Sequence, residues 1–366
     1  MRVALDATPL LGTRTGIGHY VAQLSAALAN EADIDVVLTA FTWRGQQHLR
    51  EIEAAGVDVH SRRAPARLLR AAWGHSNFPP VEMFSGNVDV FHGTNFVLPP
   101  TRRAAGVVTV HDVSFVLHPE TVDSTSLAYQ HLVPRALDRA RVIITPSNAA
   151  ADDLVEVYGT NRDRIVVTPL GVDEAWAAAT PPSDKWLQTH GIPQRYLLFV
   201  GTLEPRKNVH DLVQAHRLLR RDDPSIPMLV LAGAASSSSA VAFNPDDVVW
   251  PGYVRQGDLR SLVAGAAALA LPSRYEGFGL PALEALACGV PVVTTDIPVL
   301  REVTGGLAAY VPVGDIPALA EALRRMLATE HDAAAVAKRR AWAATFTWER
   351  CASATVAAYR RALTTR

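Results

Sequence analysis

Cysteine is nearly missing from this chain. Among 366 residues there are two, Cys288 and Cys351, which cannot build a disulfide framework and lack metal-ligand spacing. Cys288 lies among apolar residues and reads as a buried structural thiol. Net charge is nearly missing as well. The 35 Lys and Arg against 36 Asp and Glu leave a formal charge of −1, so no global field points to a nucleic-acid partner. Long apolar runs are short of what a membrane needs: SLVAGAAALALP at 261–272 falls below the about 20 residues that cross a bilayer. Asp6 interrupts the N-terminal apolar run before a secretory signal can form. Together these absences read as a cytosolic protein. No low-complexity tract or short repeat breaks the pattern.

What is present is apolar substance in regular rhythm. Hydrophobic residues make up 49% and the mean hydropathy is +0.10, a globular composition, and the length favours two domains over one core. Short β-rich runs, RVALDA (2–7), DVVLTAF (35–41), VDVFHG (88–93), GVVTVHD (106–112), RVIITPS (141–147) and RIVVTP (164–169), alternate with helical patterns such as GHYVAQLSAALA (18–29). The rhythm pauses over 175–193, then resumes with YLLFVG (196–201), PMLVLAG (227–233), VVWPGYV (248–254), ALALPS (268–273) and PVVTTD (291–296). Alternation of this kind predicts βα units and two doubly wound α/β domains, residues 1–175 and 176–346. The tail FTWERCASATVAAYRRAL (346–363) reads as a helix with no strand after it.

Ligands of open α/β sheets sit beyond the C-terminal strand ends, so the residues after each strand carry the functional reading. After RVALDA comes a loop ending in TGIGHY, where Gly16 and Gly18 open a helix. The spacing from Asp6 is too long for a Rossmann turn, and Val21 stands where a third glycine would be, which discounts a nicotinamide dinucleotide. After GVVTV come His111 and Asp112, and after YLLFVG comes TLEPRKN with Arg206 and Lys207. After ALALPS comes RYEGFGLPALE. There Pro281 suits the first turn of a helix that stops at Gly289, and the amides of Gly277, Phe278, Gly279 and Leu280 lie at its positive end. Glu276 and Glu284 flank that anion site. Two carboxylates around an anion site suit a ligand with phosphate in the middle and vicinal diols at both ends, the layout of a nucleotide sugar. Taken singly, His111 reads as a core histidine, Arg206 and Lys207 as a solvated pair, and an isolated E-x7-E as chance. Their shared position at strand ends is what separates them from those accounts.

EGFGLPALE with ACGVPVVTTD resembles the signature of the family 4 retaining glycosyltransferases, which have the GT-B fold. The resemblance extends over nearly the whole chain: GTLEPRKN (201–208), VTPLGVD (167–173), VHDVSF (110–115), TGIGHY (15–20) and PGYV (251–254) match further segments in the family's order. It implies two Rossmann-like domains facing a central cleft, with the last helices, 347–366, crossing back to an acceptor-binding N-terminal domain. It implies that Glu284 holds the ribose hydroxyls, that Glu276 contacts the transferred sugar, and that the amides of Phe278 to Leu280 bind that sugar or its phosphate. Arg206 and Lys207, after Gly201, are implied to neutralise the departing diphosphate. Gly16 and Gly18 are implied to let backbone approach the phosphate, His111 to lie at the reacting carbon, and Tyr253 and Val254 to meet the base. In one place the chain departs from the family: Thr202 stands where many members carry arginine. The implied reaction displaces a nucleoside diphosphate with retention, without metal or other cofactor. GTLEPRKN and VHDVSF resemble bacterial mannosyltransferases, which points to GDP-mannose as donor and a glycan or lipid-linked acceptor in cell-envelope polysaccharide or glycolipid synthesis.

HSRRAPARLLRAAW (60–73) carries Arg62, Arg63, Arg67 and Arg70 beside Leu68, Leu69 and Trp73, with no acid from His60 to Val81. On a helix this is a basic amphipathic surface suited to the anionic inner face of a plasma membrane, or a solvated cationic face. Other readings are a UDP- or dTDP-sugar transferase, a nucleotide-sugar epimerase of related fold, which does not need the paired glutamates, and an inactive partner subunit. Inactive relatives tend to lose the cations or the glutamates, and this chain keeps all of them.

Overall fold

The computed structural model describes residues 1–11, 16–42, 58–59, 66–235, 248–329 and 332–365. Of the basic segment 60–73, residues 60–65 lie outside the described residues, as does Thr15 of TGIGHY. The chain divides into two units, Met1–Val116 with Thr125–Gly171 and Thr347–Arg366, and Leu117–Ser124 with Val172–Phe346.

The first unit holds a seven-stranded sheet of β1 (Arg2–Asp6), β2 (Asp35–Thr39), β3 (Asp58–Val59), β4 (Val90–Gly93), β5 (Ala105–Thr109), β6 (Val142–Thr145) and β7 (Ile165–Val167). The order is β3-β2-β1-β4-β5-β6-β7, and every pairing is parallel. Register is set by the apolar centres: Val3 lies beside Val36 on one side and Val90 on the other. Strands of this kind are covered on both faces, which is why β4, β5 and β6 are buried at every position and read as unbroken apolar runs.

The second unit repeats the scheme with a six-stranded sheet of β8 (Tyr196–Val200), β9 (Met228–Ala232), β10 (Val248–Gly252), β11 (Ala268–Leu271), β12 (Val292–Thr295) and β13 (Ala309–Val311). Its order is β10-β9-β8-β11-β12-β13. In each sheet the sense of winding reverses once, between β1 and β4 in the first and between β8 and β11 in the second. That reversal parts the following loops and leaves a crevice at the carboxyl ends of the two central strands. Of the strands, β3 and β13 were not anticipated. The first is two residues long, and the second, Ala-Tyr-Val, is half-buried for most of its length.

The final helix, Trp348–Thr364, belongs to the first unit. Its buried residues Trp348, Cys351, Ala352, Thr355, Val356, Ala358, Tyr359 and Ala362 fall on one face of the helix at about 100° per residue. Thr347 caps it by accepting from the Arg350 amide at 3.2 Å. A Cβ on Gly171 would stand 2.3 Å from the Trp348 nitrogen, so the chain can meet this helix here only as glycine. Tyr359 reaches His92 Nδ1 at 2.8 Å, and His92 Nε2 reaches Thr109 Oγ1 at 2.7 Å. Burial, aided by nearby His111, drives the His92 pKa down to about 3, so this network is neutral. Among the described residues no helix is long and apolar enough to cross a membrane.

Candidate active site

The loops after β8 and β11 meet at the winding reversal of the second sheet, and their backbones bond: the Arg274 amide donates to the Arg206 carbonyl at 2.9 Å. The β8 loop turns through a short 3-10 helix, Pro205–Lys207, which ends on Asn208 in the left-handed region at φ 54°. That turn aims both cations at the β11 loop. Lys207 Nζ donates to Glu276 Oε1 at 2.6 Å, and Arg206 Nη1 donates to Glu276 Oε2 at 3.1 Å and to the Tyr275 carbonyl at 2.7 Å. Ser273 Oγ adds a bond to Glu276 Oε1 at 2.6 Å, and Glu204 lies 3.5 Å from the Arg206 guanidinium. Glu276 is 6% exposed. Its burial works against the charge, yet Lys207 and Arg206 overcome it and hold the pKa down at about 2.

Arg206, Lys207 and Glu276 are thus brought together as one cluster. The sequence placed each of them near the phosphate and sugar, but not on each other. Ser273 and Glu204 were missed; short polar residues beside the motif offer no pattern that marks them. The arrangement holds a guanidinium and an ammonium at one fixed carboxylate. Only one Lys207 N–H is taken by it, so the ammonium keeps donors for an anion.

The helix Leu280–Cys288 starts from Gly279, whose φ of 98° favours glycine. A Cβ there would also lie 2.6 Å from Leu300 Cδ2. Pro281 stands in the first turn and Gly289 closes the helix at φ 83°. No side chain caps its N-terminus. The Ala282 and Leu283 amides donate to the Gly279 carbonyl and Pro281 has no N–H, which leaves the Leu280 amide as the first-turn donor for an anion. Glu284 lies on this helix, 8% exposed. Burial and the charge of Asp173, opposed by Arg260, push its pKa up to about 8. Arg260 itself is paired with Asp173 at 3.2 Å. The two glutamates of one loop-helix unit are therefore pushed in opposite directions, Glu276 toward the carboxylate and Glu284 toward the acid.

Of the other positions expected on the donor side, Gly201 follows β8, and Tyr253 and Val254 follow β10. The Gly201 amide is spent on the Ala232 carbonyl at 3.0 Å, and a Cβ on Gly233 would lie 1.8 Å from the Gly201 oxygen. Gly233 was not singled out in the sequence, although a glycine directly after a strand is the signal for such an approach. Tyr253 is 52% exposed and Val254 half-buried. Trp250, also missed, donates its indole N–H to the Gly233 carbonyl at 2.8 Å.

Gly16, Gly18 and His111 belong to the first unit. Gly16 opens the helix Gly16–Ala29 and Gly18 is buried in it. A Cβ on Gly16 would touch nothing within 4 Å, so the fold itself does not require glycine there. His111 is buried, with Nε2 donating to the Thr94 carbonyl at 2.9 Å. Its ring stands edge-on to Tyr20 at 5.0 Å and Phe96 at 5.5 Å. Burial lowers its pKa; the Thr94 bond places the proton on Nε2 and leaves Nδ1 as the basic nitrogen.

One Asp-x-Asp triplet, Asp33-Ile34-Asp35, has the spacing of a metal–diphosphate motif. It lies at the N-terminal end of β2, the wrong end for a ligand, with Asp35 on Arg2 at 3.4 Å and Asp33 on Arg360 at 3.6 Å. Among the described residues no group of three or more His, Cys, Asp or Glu is placed to hold a metal ion.

Comparison with known proteins bears on this geometry. Residues 183–342 match the family model described as glycosyl transferases group 1, and residues 14–176 match that of glycosyltransferase family 4. The chain is 30% identical over 395 aligned positions to the O-antigen chain mannosyltransferase B of Escherichia coli, covering 98% of this chain and all of that one. It is 28% identical to the D-inositol 3-phosphate glycosyltransferase of Paenarthrobacter aurescens, covering 97% and 95%. Among solved structures, the sucrose-phosphate synthase of Thermosynechococcus elongatus superposes with a TM-score of 0.73 over 98% of both chains at 20% identity. That likeness extends to the fold.

Proposed function

The chain belongs to the family 4 glycosyltransferases of GT-B fold, and from that premise we propose that it moves mannose from GDP-mannose to a glycan or lipid-linked acceptor, in cell-envelope polysaccharide or glycolipid synthesis. The observation that carries the reading is the Lys207–Glu276–Arg206 cluster at the β8/β11 reversal, with an uncapped helix N-terminus beside it. The mannosyl donor is supported by the full-length relationship to a mannosyltransferase.

In the proposed reaction an acceptor hydroxyl oxygen forms a bond to the anomeric carbon as the bond to the diphosphate oxygen breaks. The hydroxyl proton passes to the leaving phosphate on the same face, so the configuration is retained. Negative charge grows on the departing β-phosphate, and Lys207, Arg206 and the amides of Phe278 to Leu280 stabilise it where it develops. Fixed cations in this role make a metal ion unnecessary. Glu276, held ionised by those cations, accepts hydroxyl hydrogen bonds from the transferred sugar. Glu284 takes the ribose hydroxyls, and Tyr253 and Val254 line the base. His111, through Nδ1, serves the acceptor side.

Calorimetric titration of the wild type and Glu284→Ala with GDP, UDP, ADP and dTDP tests the donor assignment. GDP is expected to bind most tightly and to lose at least tenfold in affinity in the variant. Preference for another diphosphate would replace the donor, and binding of none would remove the transferase reading.

A further inference from the structure

The first sheet has its own winding reversal, between β1 and β4, and a cavity of about 120 Å³ opens there. At the roughly 30 Å³ each that waters occupy in the liquid, it has room for about four. Asp6, the last residue of β1, lines it, as does Asn95, just beyond β4. The two strand ends are pinned together, since Thr94 Oγ1 donates to the Asp6 carbonyl at 2.6 Å. The turn is tight: a Cβ on Gly93 would stand 2.1 Å from the Val97 carbonyl oxygen, and Phe96 sits at φ 61°. A non-glycine residue held in the left-handed region is a strain found at ligand clamps.

The polar lining is under-used within the protein. Asp6 Oδ1 accepts the Thr8 amide at 2.9 Å, and a carboxylate has acceptor capacity beyond one bond. Asn95 contributes no acceptor to the cavity, since its Oδ1 is closed off from it and its amide nitrogen lies 3.5 Å from the Tyr129 hydroxyl. Arg70 lines the same cavity; burial raises the Asp6 pKa, and the hydrogen bonds from Thr8 and then the Arg70 charge act against that rise. Phe41 and Trp73 supply the apolar wall, edge to face at 5.0 Å. The indole N–H of Trp73 is committed to the Pro79 carbonyl at 2.9 Å, so the ring offers carbon surface.

We propose that this cavity is a subsite for a neutral sugar ring of the acceptor, with Asp6 accepting its hydroxyl protons and Arg70 donating to its oxygens. An acceptor, a donor and an apolar wall converge there, the chemistry that fixes a polyhydroxylated ring. The Arg70 charge is offset by Asp6, which favours a neutral saccharide over a phosphorylated headgroup. This assignment rests on the glycosyltransferase reading and narrows its acceptor to a glycan end.

The test is saturation-transfer NMR on the full chain with methyl α-mannoside, beside calorimetry with GDP. Binding in the millimolar range is expected for the wild type. Asp6→Asn keeps the shape and the acceptor for Thr8, and is expected to weaken the mannoside at least tenfold while the GDP affinity stays within twofold. Arg70→Gln is expected to weaken it to a lesser degree. A mannoside signal indifferent to both substitutions overturns the subsite. So does inorganic phosphate that binds to the wild type, displaces the mannoside and loses its affinity in Arg70→Gln alone, which would mark an anionic headgroup site. GDP bound with no saccharide bound sinks the subsite and spares the transferase reading; loss of GDP binding in the wild type sinks both.

Discussion

Glu276 and Glu284 share one loop-helix unit and nearly the same burial, 6% and 8% exposed, yet burial prevails at one and cations prevail at the other. The consequences for pH have opposite sign. Glu284 has a pKa raised from 4.5 to about 8, so its contribution to stability is fully present below 4.5 and is lost as the pH rises through 8. Glu276 has a pKa lowered from 4.5 to about 2. It stabilises above 4.5, by on the order of 3 kcal/mol, and that contribution is lost as the pH falls through 2. Ribose hydroxyls donate best to a carboxylate, so GDP should bind more tightly as the pH climbs from 7 to 9, with proton release. Calorimetry in buffers of differing ionisation enthalpy reads both effects. In Glu284→Gln the affinity profile should be flat across that range; an unchanged profile would remove Glu284 from the nucleotide site.

Two glycines at element ends separate what the fold demands from what the ligand demands. Gly233→Ala would drive a Cβ into the Gly201 carbonyl, a backbone atom that cannot step aside, so a loss of roughly 3 kcal/mol or more in urea unfolding is expected. Gly16→Ala meets only open space and should leave stability within about 0.5 kcal/mol while lowering turnover at least tenfold. Equal losses of stability in both would undo that distinction. The elements themselves were largely legible. RVALDA and YLLFVG became β1 and β8 because parallel strands are apolar on both faces, and Pro281 and Gly289 bracket the observed helix Leu280–Cys288. Side-chain partnerships were less so. Nothing in TLEPRKN announces that Lys207 and Arg206 will grip Glu276, some 70 residues away, because that contact depends on the loops after β8 and β11 being parted and then tied together. The Asp6 cavity was hidden for the same reason: its lining comes from strands and a helix far apart in the chain.

The first unit takes in the helix Trp348–Thr364 as well as residues up to Gly171, so its stability depends on a segment far along the chain. Tyr359 on that helix closes the neutral network with His92, Thr109 and Tyr20. Tyr359→Phe leaves a buried imidazole nitrogen unsatisfied, at a cost of about 1–3 kcal/mol. Scanning calorimetry should place that loss in the first unit, whereas GDP should raise the melting of the second. A single transition moved equally by both would show that the two units melt as one.

The central claim is that fixed cations and a buried carboxylate carry retaining transfer without a metal. It is tested most directly by following GDP-mannose with ¹H NMR in the presence of EDTA and reading the anomer of the mannose first released to water or to an added mannoside. Release of the α-anomer is expected, unaffected by EDTA and reduced at least a hundredfold in Arg206→Ala. Release of the β-anomer, or activity that EDTA abolishes, would contradict the account.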